Sequence, residues 1–313
     1  MLVKTANANM LRSYFESLLM HVVKGVLASL SITIATLAVC MVLFIWVIER
    51  FVVSAKRKHA VSQRMDRIII WWTSANRWMI KRLNLVTPEV SWRGREHLSP
   101  QQWYLVVCNH QTWADILLLQ TYLLDDIPPL KFFTKSQLIW LPFVGLAMYV
   151  LGFPYVKRVS REQIKKNPQL RNADKDNVMK ACEGFKNHPT SILNFVEGTR
   201  RTPEKHQRSG GGFQHLLKPK PGGINYIIDG MGSGLNGLVD VTLVYPDGVP
   251  TFWDFLQGKC PRVIFDTRFR KLPEFTNARE DETQRKAQIA QWVQGMWEDK
   301  DAFITDTMQR TTG

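Results

Sequence analysis

Apolar and polar positions along the chain follow three different patterns. Residues 25–48 run 24 positions without a charge. As a helix rising 1.5 Å per residue this is about 36 Å, enough to cross a hydrocarbon layer of about 30 Å. The run predicts a membrane segment. It is too long, and starts too far from the N-terminus, for a cleavable signal peptide. Arg12 and Lys24 precede it, whereas Arg50, Lys56, Arg57, Lys58, Arg64 and Arg67 follow it. That imbalance orients the bulk of the chain toward the cytoplasm. Residues 68–85 carry Trp71, Trp72 and Trp78 among Arg67, Arg77, Lys81 and Arg82, a pattern suited to the headgroup boundary. The same amphipathic helix could instead pack on a soluble domain.

From Pro88 the pattern changes to short apolar runs alternating with helical stretches, as in an α/β domain. Strands are predicted at 103–107, 191–196 and 239–245, and a helix at 116–124. Residues 138–156 are apolar but interrupted by Pro142, Gly145, Gly152 and Pro154, which suits core or the wall of an apolar channel. Residues 163–187 read as a polar, helix-bearing excursion. Residues 279–308 read as a C-terminal helix with Ile289, Trp292, Val293 and Met296 at 3–4 spacing. The expected division is a membrane-anchoring region at 1–85 and a cytoplasmic α/β domain at 86–313.

Composition sharpens this picture. With 45% apolar and 22% charged residues among 313, the chain has the material for a core, which excludes a disordered polymer. Lys and Arg exceed Asp and Glu by 41 to 27, a formal charge of +14 that favours anionic partners. Nucleic acid is an unsuitable one, given the membrane run and the lack of any recognised module. Cys40, Cys108, Cys182 and Cys260 show no metal or disulfide spacing and read as reduced, inert thiols.

Two clusters could carry chemistry. In Val107-Cys108-Asn109-His110-Gln111-Thr112-Trp113-Ala114-Asp115 a strand ends and a helix begins. Thr112 and Asp115 have the spacing of a capping box. Asp115 also leans back toward His110, where a carboxylate could fix the imidazole tautomer. In Asn194-Phe195-Val196-Glu197-Gly198-Thr199-Arg200-Arg201 a strand runs into a loop fit to cradle phosphate: Gly198 permits close approach and Arg200 offers a planar fork. Cys108 beside His110 is a weak candidate nucleophile. The G-x-G-x-x-G at 232–237 precedes a strand-like run, where a dinucleotide site needs a helix, and reads as a loop.

Together, N-H-x4-D and F-V-E-G-T-R resemble the PlsC-type glycerolipid acyltransferases, the 1-acyl-sn-glycerol-3-phosphate acyltransferases. Gly152-Phe153-Pro154-Tyr155-Val156-Lys157-Arg158, the run Lys135-x6-Pro142-x2-Gly145, and Val239-Asp240-Val241-Thr242-Leu243-Val244-Tyr245-Pro246 are similar to further family blocks. The likeness covers roughly residues 85–250. Length and N-terminal anchor look most like the YihG-like bacterial inner-membrane branch. Pro154 and the glycines at 222–237 depart from the pattern.

The resemblance implies a glycerolphosphate-acyltransferase-like α/β fold: a mixed sheet flanked by helices, preceded by a membrane helix and an interfacial helix. It implies transfer of a fatty acyl chain from acyl-CoA or acyl-carrier protein to the free hydroxyl of lysophosphatidic acid, with no metal and no cofactor. On its pattern His110 is the base and Asp115 orients it. Arg200, with Arg158 as second candidate, holds the acceptor phosphate, and Glu197 orients Thr199 or a glycerol hydroxyl. The Gly198 amide helps hold the oxyanion. A basic rim of Lys157, Arg158, Arg161, Lys165 and Lys166 would attract phosphates and anionic membrane lipid. The alternatives are another lysophospholipid or glycerol-3-phosphate as acceptor, or a catalytically silent lipid-binding protein.

Overall fold

The computed structural model describes residues 2–140, 142–156, 173–275 and 281–312. In chain order the elements are α1 (Leu2–Val52), α2 (Ala55–Arg82), β1 (Thr87–Arg93), β2 (Tyr104–Cys108), α3 (Ala114–Tyr122), β3 (Leu130–Phe132), β4 (Thr134–Lys135), α4 (Val144–Val150), β5 (Tyr155–Val156), α5 (Ala173–Phe185), β6 (Ser191–Phe195), α6 (Pro203–Arg208), α7 (Gly222–Met231), β7 (Gly237–Val244), α8 (Phe252–Leu256), β8 (Arg262–Arg270) and α9 (Glu282–Thr312). Lys157, Arg158, Arg161, Lys165 and Lys166 lie outside the described residues, as does the first part of the polar excursion.

Six strands form one sheet in the order β1-β8-β7-β2-β6-β3. Every pair is parallel except β7 with β8, so the sheet is mixed, as expected. β2 lies inside it and is buried along its whole length, which explains why its sequence is an unbroken apolar run. Its side chains alternate between two cores. Tyr104, Val106 and Cys108 face a core shared with α2, α3 and α8. Leu105 and Val107 face one shared with α5, α7 and α9.

On that second face, Ile289, Val293, Met296 and Trp297 of α9 are buried. So is Lys300, whose Nζ pairs with Asp240 and donates to Val241 O at 2.7 Å and Thr242 Oγ1 at 3.2 Å. Arg270 bridges Asp240 and Asp299 at 2.9 and 3.0 Å. The C-terminal helix is thereby fastened to β7, whose far end holds the site described below.

The charge-free run lies in α1, a single helix of 51 residues and about 75 Å. One stripe of it lies against protein, near its start on α8 and further along on α2. Gly25 is buried where α1 crosses α8, and a Cβ there would meet the Trp253 ring and Gln257 side chain at 2.9 Å. His21 Nδ1 is 2.7 Å from Gln257 O. Further along, Trp72 Nε1 donates to Thr36 Oγ1 at 2.9 Å, and Leu43 packs with Val61, Met65 and Ile68 of α2.

The opposite face, with Leu37, Met41, Phe44, Ile45 and Ile48, is bare. α2 shows both features foreseen for an amphipathic helix: Ile68, Ile69, Met79 and Ile80 are buried against protein, and Trp71 and Trp78 stay exposed. The interrupted stretch 138–156 resolves into a short turn at Ser136–Trp140, then α4, then β5.

Candidate active site

The register of the sheet assembles the site. Cys108, the last residue of β2, stands opposite Phe195 of β6 on one side and Val241 of β7 on the other. The two sequence clusters therefore leave the sheet side by side at the carboxyl ends of parallel strands, where open α/β sheets place their ligands. Backbone contacts lock the loops together: Arg201 N donates to His110 O at 2.7 Å. The buried Asn109 side chain donates to Leu243 O and accepts from Leu243 N, both at 2.9 Å, and Gln111 Nε2 donates to the same carbonyl at 3.0 Å.

His110 Nδ1 lies 2.8 Å from Asp115 Oδ2. A carboxylate only accepts, so Nδ1 carries the hydrogen and Nε2 keeps the free lone pair. The imidazole stacks on Phe195, centroids 3.9 Å apart and planes at 14°, and is largely shielded from water. Asp115 is fully buried, with its oxygens satisfied. Oδ2 also accepts from Gln111 N at 2.6 Å and Thr112 N at 2.9 Å, and Oδ1 accepts from the Tyr245 hydroxyl at 2.5 Å. Burial, and then Asp115 beside it, raise the Tyr245 phenol well above the usual tyrosine range, so it stays protonated and donates.

The predicted capping box is only half present. Asp115 reaches back onto backbone amides, but Thr112 Oγ1 approaches Ala114 N at 3.5 Å rather than capping Asp115 N. Trp113 occupies the cap position without a side-chain bond.

In the second cluster Gly198 takes φ +71°, in the left-handed range that favours glycine. Its amide donates to Phe195 O at 2.8 Å, closing the turn. Lys220 lies beside this glycine, 3.4 Å from where a Cβ would stand. Glu197 is buried and makes no hydrogen bond to Thr199, whose Oγ1 accepts instead from Lys205 Nζ at 2.7 Å.

Burial, with Asp115 nearby, pushes Glu197 up to about 8. The amides of His110 and Leu217 and the Arg201 guanidinium pull the other way, but neither carboxyl oxygen completes a hydrogen bond of good geometry. Arg200 lies over Trp113 with its guanidinium carbon 4.7 Å from the ring centroid. Trp113 is the residue before α3, so the guanidinium stands at the mouth of the His110 loop. Cys108 is fully buried, and burial pushes its thiol well above the usual range. No thiolate is available there.

Next to Trp113 the interior is apolar. A cavity of about 390 Å³ is lined by Ile32, Trp72, Trp113, Ile116, Leu117, Gln120 and Phe252. A second, of about 330 Å³, shares Trp72, Ile116 and Gln120 and extends between α1, α2 and α4 to Phe132 and Phe153.

A mixed sheet carrying a shielded His-Asp pair, an arginine and an apolar cavity at the carboxyl ends of its strands has the layout of an α/β enzyme. The chain belongs to the acyltransferase family, whose model matches residues 89–245, half of the sequence. Among similar proteins, 1-acyl-sn-glycerol-3-phosphate acyltransferase alpha of Mus musculus is 31% identical over 110 residues, covering 34% of this chain and 38% of that one. A probable 1-acyl-sn-glycerol-3-phosphate acyltransferase 5 of Arabidopsis thaliana is 26% identical over 215 residues, covering 64% and 52%. The matched stretches thus span about two fifths to three fifths of the first curated relatives. In fold, the chain is similar to the crystal structure of the 1-acyl-sn-glycerophosphate acyltransferase PlsC from Thermotoga maritima, with TM-score 0.53, 18% identity, and coverage of 89% of this chain and 97% of that one.

Proposed function

We propose that the protein transfers a fatty acyl chain from a thioester donor, acyl-CoA or acyl-carrier protein, to the free hydroxyl of lysophosphatidic acid, giving phosphatidic acid. The observation that carries this is the His110–Asp115 pair, 2.8 Å apart at the end of β2, with Arg200 held at the same loop by Trp113. His110 Nε2 removes the proton from the acceptor hydroxyl as its oxygen attacks the thioester carbonyl. The tetrahedral intermediate collapses, the C–S bond breaks, and the departing sulfur takes the proton back from the imidazolium. Asp115 holds the ring and stabilises its charged form. Arg200 binds the acceptor phosphate, with Arg158 as its expected companion, and the apolar cavities beside Trp113 take an acyl chain. No step requires a metal or a cofactor.

The membrane arrangement belongs to the same proposal. Residues 1–85 attach the chain to a bacterial inner membrane, residues 86–313 form the transferase domain on its cytoplasmic side, and the sequence belongs to the YihG-like branch. The bare apolar face of α1 supports attachment. The contacts of Gly25 and His21 with α8 favour a helix whose first part lies along the domain over one that stands away from it.

The test is thiol release from acyl-CoA in the presence of lysophosphatidic acid, with phosphatidic acid identified as product. His110→Ala is expected to abolish turnover with an unchanged circular dichroism spectrum. Turnover at the parent rate in that variant overturns the proposal. A panel of lysolipid acceptors and glycerol-3-phosphate identifies the preferred hydroxyl.

A further inference from the structure

The sequence from Ser136 to Val156 carries no charged residue across 21 positions, yet the structure leaves much of it uncovered. Trp140 is 85% exposed, Phe143 66%, Tyr149 62% and Leu146 53%. Phe143 also holds φ +62°, which a bulky side chain rarely adopts because it brings the Cβ against the backbone. The other face of α4 is committed to the interior, where Ala147, Met148 and Leu151 line the apolar cavity between α1 and α2.

α4 packs on α1, and α1 divides its residues there in the same manner. Val39, Val42, Leu43 and Val47 turn inward, while Met41, Phe44 and Ile45 face out. The two bare stripes thus belong to neighbouring helices in contact, and both come from charge-free sequence. An apolar surface of this extent on one side of a protein marks a docking face. The named residues of both stripes are apolar or aromatic, and the α4 stripe continues the face by which α1 is read as meeting lipid. Indole and phenol groups such as Trp140 and Tyr149 favour the boundary between headgroups and acyl chains.

We propose that α4 and the turn before it form a second membrane contact, a wedge whose Trp140, Phe143, Leu146 and Tyr149 enter the lipid surface beside the outer face of α1. The proposal rests on the reading of α1 as the membrane helix. It adds that the same short helix closes the apolar cavity on one side and meets lipid on the other.

The test uses the full chain, its four native cysteines replaced by alanine, reconstituted in vesicles of phosphatidylethanolamine and phosphatidylglycerol. A nitroxide is attached at Trp140→Cys or, as reference, at Met41→Cys, and its collisions with oxygen and with a water-soluble nickel chelate are compared. Both labels are expected to favour oxygen. A label at 41 in lipid with one at 140 in water overturns the wedge and leaves the α1 reading standing. Both in water overturns the α1 reading and the wedge with it. A label at 140 shielded from both reagents means protein or a second copy covers the patch, and the wedge is overturned.

As a second measurement, Trp140→Asp is expected to lower turnover about tenfold on vesicle-borne acceptor, by weakening surface binding, and to leave turnover on detergent-dispersed acceptor unchanged. Equal rates on vesicles overturn the wedge.

Discussion

Replacing Tyr245 by Phe removes one oxygen atom from the buried site and nothing else of its shape. That oxygen is the donor to Asp115 Oδ1, at 2.5 Å. The three remaining donors, His110 Nδ1, Gln111 N and Thr112 N, all reach Oδ2. The variant therefore leaves one carboxylate oxygen without a hydrogen bond on a side chain with no exposure. Hydrogen bonds to a charged group contribute about 1.5–3 kcal/mol, and an orphaned buried acceptor costs a similar amount. A loss of about 2 kcal/mol in folding stability follows, read as a lower denaturant midpoint at unchanged slope.

On turnover, Asp115 keeps its partners on His110 but loses the fourth point that fixes its plane, and kcat is expected to fall about tenfold with both KM values unchanged. The fall in kcat at constant KM separates this from simple packing. A variant with kcat near the parent value would refute the positioning role of Tyr245 and leave it a core residue.

Three further outcomes are expected. Trp113→Ala removes the surface on which Arg200 lies and should raise the acceptor KM, as should Arg200→Lys, whose point charge cannot reproduce the fork; unchanged acceptor KM values in both argue against phosphate binding by Arg200. Glu197 holds its proton up to about pH 8 when folded but only to the ordinary carboxylate range when unfolded, so its contribution to stability is greatest at low pH and is lost as pH rises between about 4.5 and 8. Glu197→Gln should flatten that decline, so that the variant gains on the parent by a few kcal/mol at most between pH 5 and 8.5 in paired urea titrations; parallel pH dependences contradict the assignment. Lys300→Met leaves Asp240 buried with Arg270 as its remaining ion-pair partner among the described residues and is expected to cost about 3–5 kcal/mol of stability, with a loss below about 1 kcal/mol showing that Arg270 suffices.

What the sequence made legible and what it hid divide along physical lines. β2, β6, β7, α3 and α9 follow from runs whose length and period match one element, bounded by turn residues. The meeting of the His110 and Arg200 loops follows from the resemblance, and the structure supplies its cause in the pairing of Cys108 with Phe195. Tyr245 stood in a recognised strand-end block, but its bond to Asp115 depends on how β7 registers against β2, which no spacing along the chain encodes. A tyrosine ending an apolar strand just before a proline was the available sign of a hydroxyl kept indoors for a purpose.

At Gly198 the sequence shows a glycine and not which carbonyl its N–H meets, here that of Phe195. For α1 the hydrophobic run was plain, but Gly25 looks alike whether it eases packing in lipid or lets Trp253 approach. The same limit applies to the stretch before β5, where composition gave core or channel wall. The geometry shows why neither word sufficed: one face of α4 lines the cavity and the other is bare. Hydrophobic periodicity tells that a surface must be covered, and only lateral pairing tells by what. In this fold the residues that carry out chemistry sit where strand ends are set by chain order, and those that hold them in place sit where neighbours are set by register.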